Sequence, residues 1–262
     1  AIKNDSLAQA LLFCGPRGVG KTTCARILAK EINKVEADYD YNIFELDAAN
    51  NAGVEDIRSL IDQFRIPPQI GKYKVYIIDE VHMLSKQAFN AFLKSLEEPP
   101  KHVIFILATT EKNKIIPTIL SRCQIFEFKK IDQIQIEEAL KKICKENKID
   151  FEEEALNLIA SKSDGAMRDA LVMFDRLVTF TSGKLSLNEV SINLNTLDLD
   201  TYFDFSNLIL SCSIPDILSK YNEIVNKGFD GLSFISGLSR HYREMLISKF
   251  SDSQKISIYS EA

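Results

Sequence analysis

No stretch of this 262-residue chain approaches the roughly 18 consecutive apolar residues that read as a membrane-spanning helix. No signal-peptide pattern is visible at its start. Cysteine is sparse and scattered: Cys14, Cys24, Cys123, Cys144 and Cys212 form no C-x-x-C pair. Only His82, His102 and His241 could join them, so zinc is not expected. An odd number of distant thiols fits reduced cysteines in a cytoplasmic protein. Positive charge is not in excess, the formal net charge being −5. That argues against a protein that coats nucleic acid by itself, and any DNA contact must be a local patch or shared among subunits. Low-complexity segments and short repeats are absent. The chain begins at Ala1 without an initiator Met, which suggests an N-terminus trimmed from something longer.

What is present is an ordinary globular composition, 45% hydrophobic and 26% charged, long enough for one large domain or a few small ones. The apolar run Ala10-Leu11-Leu12-Phe13-Cys14 leads into Gly15-Pro16-Arg17-Gly18-Val19-Gly20-Lys21-Thr22. That run matches the phosphate-binding pattern G-x-x-x-x-G-K-[ST] in full. A helical pattern, Thr23 to Ile32, comes next. The plain alternative is a glycine-rich turn before a helix, and the strand–loop–helix context argues against it. Glycines let the backbone curl so that successive N–H groups face phosphate oxygens, and the helix aims its positive end at the same place. Residues Gly15 to Thr23 are therefore the candidate ATP-binding set. Lys21 reaches the β- and γ-phosphates and Thr22 ligates Mg²⁺.

Further strands are expected at Tyr41–Leu46, Val75–Ile78, Val103–Ala108 and Cys123–Phe128, with an amphipathic helix from Val54 to Phe64 and another, capped by Ser85, running to Glu97. Such alternation implies a mostly parallel sheet covered by helices. After Lys130 the strand signals stop. Helices are expected at Ile131–Asn147, Phe151–Lys162, Met167–Phe180, Leu187–Leu194, Thr201–Leu210, Ile217–Asn226 and Leu232–Phe250. Boundaries fall near 130 and 195, giving an α/β domain at 1–130, an all-α domain at 131–195 and a second all-α domain at 196–262.

Asp79 and Glu80 stand at the C-terminal end of a buried strand, the edge where parallel sheets bind ligands. Asp79 can orient Mg²⁺ and its water, and Glu80 can polarise the water that attacks a γ-phosphate. A strand-end Asp-Glu turn is the bland alternative; the phosphate loop upstream favours the functional one. Asp79-Glu80-Val81-His82 also resembles the DExH box of helicases, although only helices come after it. Thr109 and Thr110 end the next strand, where a hydroxyl would lie beside the γ-phosphate.

Three stretches sharpen this reading: Asp79-Glu80-Val81-His82-Met83-Leu84-Ser85, Leu96-Glu97-Glu98-Pro99-Pro100 and Ser121-Arg122-Cys123. With Asp47-Ala48-Ala49-Asn50-Asn51 and Gly165-Ala166-Met167-Arg168-Asp169-Ala170-Leu171, they resemble the bacterial DNA polymerase III gamma/tau family, the AAA+ ATPases of the sliding-clamp loader. The likeness spans nearly the whole chain and thins after about residue 195. It implies a P-loop AAA+ α/β domain, a small helical lid and a helical collar that builds a ring-like pentamer. It implies Thr110 as the sensor of the γ-phosphate, Arg168 as a second sensor on the lid, and Arg122 as the arginine finger that reaches a neighbour's ATP. Arg58 is a candidate DNA-phosphate contact; an ordinary helix-surface arginine is as good an account.

The implied partners are delta and delta-prime subunits, further gamma/tau copies, the sliding clamp and primer–template DNA, with no membrane. ATP binding would open the clamp and hydrolysis release it on DNA. Three departures stand out. The family's four-cysteine zinc module is missing, only Asn33 to Asp40 separating helix from strand. The chain starts after the segment that helps hold adenine, and it ends without a tau-type tail. Two alternatives remain: a structural clamp-loader subunit like delta-prime that hydrolyses nothing, and a helicase or other AAA+ remodelling motor.

Overall fold

The five stretches read as strands become five strands of one parallel sheet in the computed structural model, which describes residues 7–33, 42–50, 53–68, 71–181, 183–194, 197, 199–226 and 228–250. They are β1 (Ala10–Cys14), β2 (Ile43–Asp47), β3 (Lys74–Asp79), β4 (Val103–Thr109) and β5 (Gln124–Glu127), arranged in the order β2-β3-β4-β1-β5. The short stretch from Asn33 to Asp40 lies, beyond Asn33, outside the described residues, as do Tyr41, Asn51 and everything after Phe250.

Side chains alternate across a strand, so a sheet covered on both faces needs apolar residues at every position. Leu11, Phe13, Val75, Ile77, Ile104 and Ile106 pack on one face with Ala25 and Ala29 of α1 (Lys21–Asn33). Leu12, Tyr76, Ile78, Phe105 and Leu107 pack on the other. There they meet Ile57 and Phe64 of α2 (Val54–Phe64) and Ala88, Phe89, Phe92 and Leu96 of α3 (Lys86–Glu97). Aromatic rings knit that face together. Phe64 lies 4.5 Å from Tyr76 and 4.9 Å from Phe105, edge to face in both cases. The price of this packing is the Tyr76 hydroxyl, which is buried without a hydrogen-bond partner among the described residues; burial pushes its pKa up to about 12.

The expected N-cap of α3 is in place, Ser85 Oγ accepting from the Ala88 amide at 3.2 Å. A single turn, α4 (Pro117–Leu120), precedes β5, and 3₁₀ turns occupy Val81–Met83 and Lys112–Lys114. Strand register brings the ends of three strands level. Cys14 pairs with Thr109, and Ile78 with Leu107. The loop after β1, the Asp79-Glu80 pair at the end of β3 and Thr110 after β4 therefore leave one edge of the sheet as neighbours.

The chain divides into two compact units, one of residues 1–136 with 163–171, the other of 137–162 with 172–262. The second carries most of α5 (Gln133–Asn147), then α6 (Glu153–Lys162), the greater part of α7 (Met167–Phe180), and α8 (Leu187–Asn193). It ends with α9 (Leu199–Leu210), α10 (Ile214–Asn226) and α11 (Gly231–Phe250). The sequence reading missed one feature: two-residue strands β6 (Asp150–Phe151) and β7 (Lys184–Leu185) pair in parallel. Runs that short carry no periodicity to read. α5 also begins at Gln133 rather than Ile131, whose amide donates to Gly165 O. Tyr202, Phe205, Ile224 and Phe234 form the core of the last three helices.

Candidate nucleotide-binding site

The loop after β1 is curled by glycines where no other residue fits. A Cβ on Gly15 would land on the Phe128 carbonyl oxygen, and the Phe128 amide donates to Cys14 O at 2.7 Å. Gly18 and Gly20 have φ of 77° and 94°, the left-handed region that glycine enters freely. Pro16 and Arg17 are exposed, Val19 is buried, and Thr23 is exposed at the start of α1.

Lys21 is 6% exposed. Its Nζ donates to Gly15 O at 2.9 Å and to Pro16 O at 2.7 Å, so the ammonium is held inside the curl. Burial pulls its pKa down, while the Glu80 and Asp79 carboxylates act in the opposite sense. The neighbouring Thr22 hydroxyl donates to Asp79 Oδ2 at 2.7 Å, and Asp79 Oδ1 accepts from the Glu80 amide at 2.9 Å. The first turn of α1 and the end of β3 are thus joined through one carboxylate.

Glu80 adopts φ 47° and ψ 44°, a left-handed conformation that a residue with a Cβ takes rarely. It accepts at Oε2 from the Thr110 amide at 3.2 Å and the Thr110 hydroxyl at 3.0 Å. Glu80 and Thr110, singled out separately in the sequence, are thus in direct contact at the sheet edge. His82, to which sequence reasoning gave no role at this site, lies against the same carboxylate, with Nδ1 at 3.3 Å from Glu80 Oε2. The signal for it was in the sequence, a polar aromatic ring two positions after the acid.

Arg168 also belongs to this neighbourhood. Its amide donates to Gly18 O at 3.2 Å, and its charge is among those that lower the Lys21 pKa. Ala166 lies beneath Gly18, whose Cβ would approach within 3.0 Å of the Ala166 Cβ. The segment carrying Arg168 thus closes on the phosphate loop over a contact that requires small residues on both sides. Arg122 is not drawn into the cluster. Its guanidinium donates to Thr118 O at 2.8 Å and to Glu97 Oε1 at 3.0 Å, on the surface. Arg58 is exposed on α2.

The arrangement collects an ammonium, a hydroxyl-carboxylate pair and a hydrogen-bonded glutamate at the edge where parallel sheets bind ligands. Such a set can hold a polyphosphate, offer hard oxygens to a divalent cation and direct a water.

Comparison with known proteins agrees with this chemistry. A family profile described as "DNA polymerase III, delta subunit" matches residues 1–132, and one described as "DNA polymerase III clamp loader subunit, ATPase lid domain" matches residues 135–183. The chain is 39% identical to DNA polymerase III subunit tau of Bacillus subtilis over 266 residues, covering 95% of this chain and 47% of that protein. It is 35% identical to DNA polymerase III subunit gamma of Buchnera aphidicola subsp. Schizaphis graminum, covering 92% and 71%. The chain spans about half the length of the first of these relatives. Among solved structures, the RuvB Holliday junction branch migration motor of Thermotoga maritima superposes with a TM-score of 0.59 at 22% identity, covering 80% of this chain and 71% of that one. That likeness shows the fold alone, an α/β domain built on a parallel sheet and followed by helical regions. With a fold of that kind, a lid profile directly behind it and relatives alike across nine-tenths of its length, the chain belongs to the DNA polymerase III gamma/tau family of clamp-loader subunits.

Proposed function

We propose that this chain is an ATP-hydrolysing motor subunit of the DNA polymerase III clamp loader, which loads the sliding clamp onto primed DNA in the cytoplasm. The observation that carries this is the joined pair of contacts at the sheet edge, Thr22 on Asp79 and Thr110 on Glu80. A subunit that only holds the assembly together needs neither. The delta-subunit profile favours that structural role; the intact Lys21, Thr22, Asp79 and Glu80 weigh against it.

In this reading Gly15 to Thr23 bind the phosphates of ATP, with the loop amides and the Lys21 ammonium supplying the positive charge. Thr22 and Asp79 would hold Mg²⁺. Both are hard oxygen donors already facing one another, a set suited to that ion and poor for softer metals. When bound, the ion would offset charge on the β- and γ-phosphate oxygens. Glu80 polarises the attacking water, its proton being drawn toward the carboxylate as the water oxygen bonds to the γ-phosphorus, while the bond from that phosphorus to the β–γ bridging oxygen breaks and ADP leaves. Thr110 fixes the other side of that carboxylate and senses the γ-phosphate. Arg168 caps the loop from the lid. Arg122, already on the surface, acts in trans as the finger for a neighbouring subunit's ATP, which makes hydrolysis depend on assembly.

The domain division 1–130, 131–195 and 196–262, with the last as an assembly collar, belongs to the same proposal. So do delta, delta-prime, further gamma/tau copies, the clamp and primer–template DNA as partners, and Arg58 as a phosphate contact. Phosphate contacts carry no sequence code, so loading should not depend on sequence.

The test is steady-state ATPase of the chain assembled with delta and delta-prime, with and without clamp and primed DNA. Strong stimulation by clamp and DNA together is expected. Activity indifferent to the clamp, accompanied by strand displacement, would instead support a helicase.

A further inference from the structure

Glu80 and His82 are two residues apart, yet their side chains meet. Two features of the backbone make this possible. Glu80 takes the left-handed conformation, and Val81–Met83 turn tightly as a 3₁₀ segment. An extended continuation of β3 would send side chains two apart in the same direction along parallel lines, too far along the chain to converge on one partner. The turn instead folds the His82 ring back beneath the end of β4.

The ring is almost fully enclosed, its side chain 6% exposed. Both nitrogens face oxygen. Nδ1 lies 3.0 Å from Thr109 Oγ1 and 3.3 Å from Glu80 Oε2. Nε2 lies 3.4 Å from Glu111 Oε1. Whichever nitrogen carries the proton therefore faces a carboxylate. The outer end of the arrangement is itself fixed. The Glu111 amide donates to Thr109 Oγ1 at 3.0 Å, and Lys114 Nζ donates to Glu111 Oε1 at 2.7 Å.

A glutamate side chain with three rotatable bonds does not direct a water unless its carboxylate is held. Thr110 holds Oε2 from one side. We propose that His82, locked between Thr109 and Glu111, is the positioning residue that holds Oε2 from the other side and so sets the direction in which Glu80 presents its carboxylate. This rests on the reading of Glu80 as the group that polarises the attacking water. Glu111 is then the anchor of the ring, and the 3₁₀ turn after β4 is part of the catalytic geometry although it touches no substrate.

The experiment uses the assembled clamp loader and measures kcat for ATP hydrolysis and, separately, equilibrium binding of ATP. Glu80→Gln comes first. Persistent hydrolysis in that variant would remove the reading of Glu80, and with it this proposal. Given the expected loss, His82→Ala should lower kcat roughly ten- to hundred-fold, the scale of a misplaced reacting group, with ATP binding unchanged. His82→Gln, which keeps a donor and an acceptor near the same place, should recover part of that loss. An unchanged kcat in His82→Ala, or a loss confined to ATP binding, overturns the proposal and leaves Glu80 in its role.

Should His82→Ala fail to fold, Glu111→Gln on the half-exposed turn tests the same connection. It should lower kcat, and combining it with His82→Gln should cost no more than the larger single change, because both act on one ring. Additive losses, or no effect of Glu111→Gln, would overturn the proposal.

Discussion

Lys21 is buried on its own loop, held by two carbonyl oxygens and facing two carboxylates that offset the cost of enclosing its charge. Charge-assisted contacts of that kind are each worth about 1.5–3 kcal/mol. Lys21→Ala should therefore weaken ATP binding roughly ten- to hundred-fold, read by titration with a fluorescent ATP analogue. Arg122 predicts a contrasting phenotype. Its contacts are Glu97 and Thr118 at the surface, with none to the phosphate loop among those described. Arg122→Ala should leave ATP binding nearly intact while hydrolysis by the assembled complex drops by roughly 10³-fold, the scale of an arginine finger. Full hydrolysis in a complex whose every motor copy carries the change would remove the finger assignment.

Helix contacts obey similar arithmetic with a different sign. Gly237 sits in the middle of α11, where glycine ordinarily costs about 1 kcal/mol relative to alanine. Substitution by alanine on an open helix face would stabilise. Here the added Cβ would collide with the Tyr202 hydroxyl of α9. Tyr202 cannot swing aside easily, being stacked on Phe234 at 6.0 Å and on His241 at 5.9 Å. Overpacking of this kind costs about 1–3 kcal/mol, which outweighs the propensity gain. Gly237→Ala should thus lower the denaturant midpoint of the helical unit. An increase would show that α9 and α11 are less closely apposed than described.

The five thiols give a test that spans the whole molecule. Cys24 and Cys212 are exposed, Cys14 and Cys144 are buried, and Cys123 is partly covered. Burial pushes the pKa of Cys123 and of Cys144 up to about 11. The thiolate is the reactive form, so iodoacetamide at neutral pH should modify Cys24 and Cys212 first. Mass spectrometry should find Cys14, Cys123 and Cys144 labelled only under denaturing conditions. Rapid labelling of Cys144 in the native protein would contradict the packing of α5.

Much of the site was legible in the sequence because its parts are local. The phosphate loop is defined by spacing within eight residues. The buried strands announce themselves as continuous apolar runs, Val75–Ile78 and Val103–Ala108 among them. Ser85 caps the helix that it precedes, and Pro99-Pro100 stop it. Resemblance to a family added Thr110, Arg168 and Arg122 without fixing what they touch. Tertiary structure decided the rest, since each remaining contact joins residues far apart in the chain. Strand order sets Thr22 against Asp79 and Glu80 against Thr110, a matter of which strands pair that no local pattern encodes. The return of the chain at Gly165 brings Arg168 to Gly18, and a left-handed residue with a tight turn carries His82 into a gap between two carboxylates. Local sequence chose the chemical groups. Packing of both sheet faces against helices, a global balance of buried area, chose their neighbours.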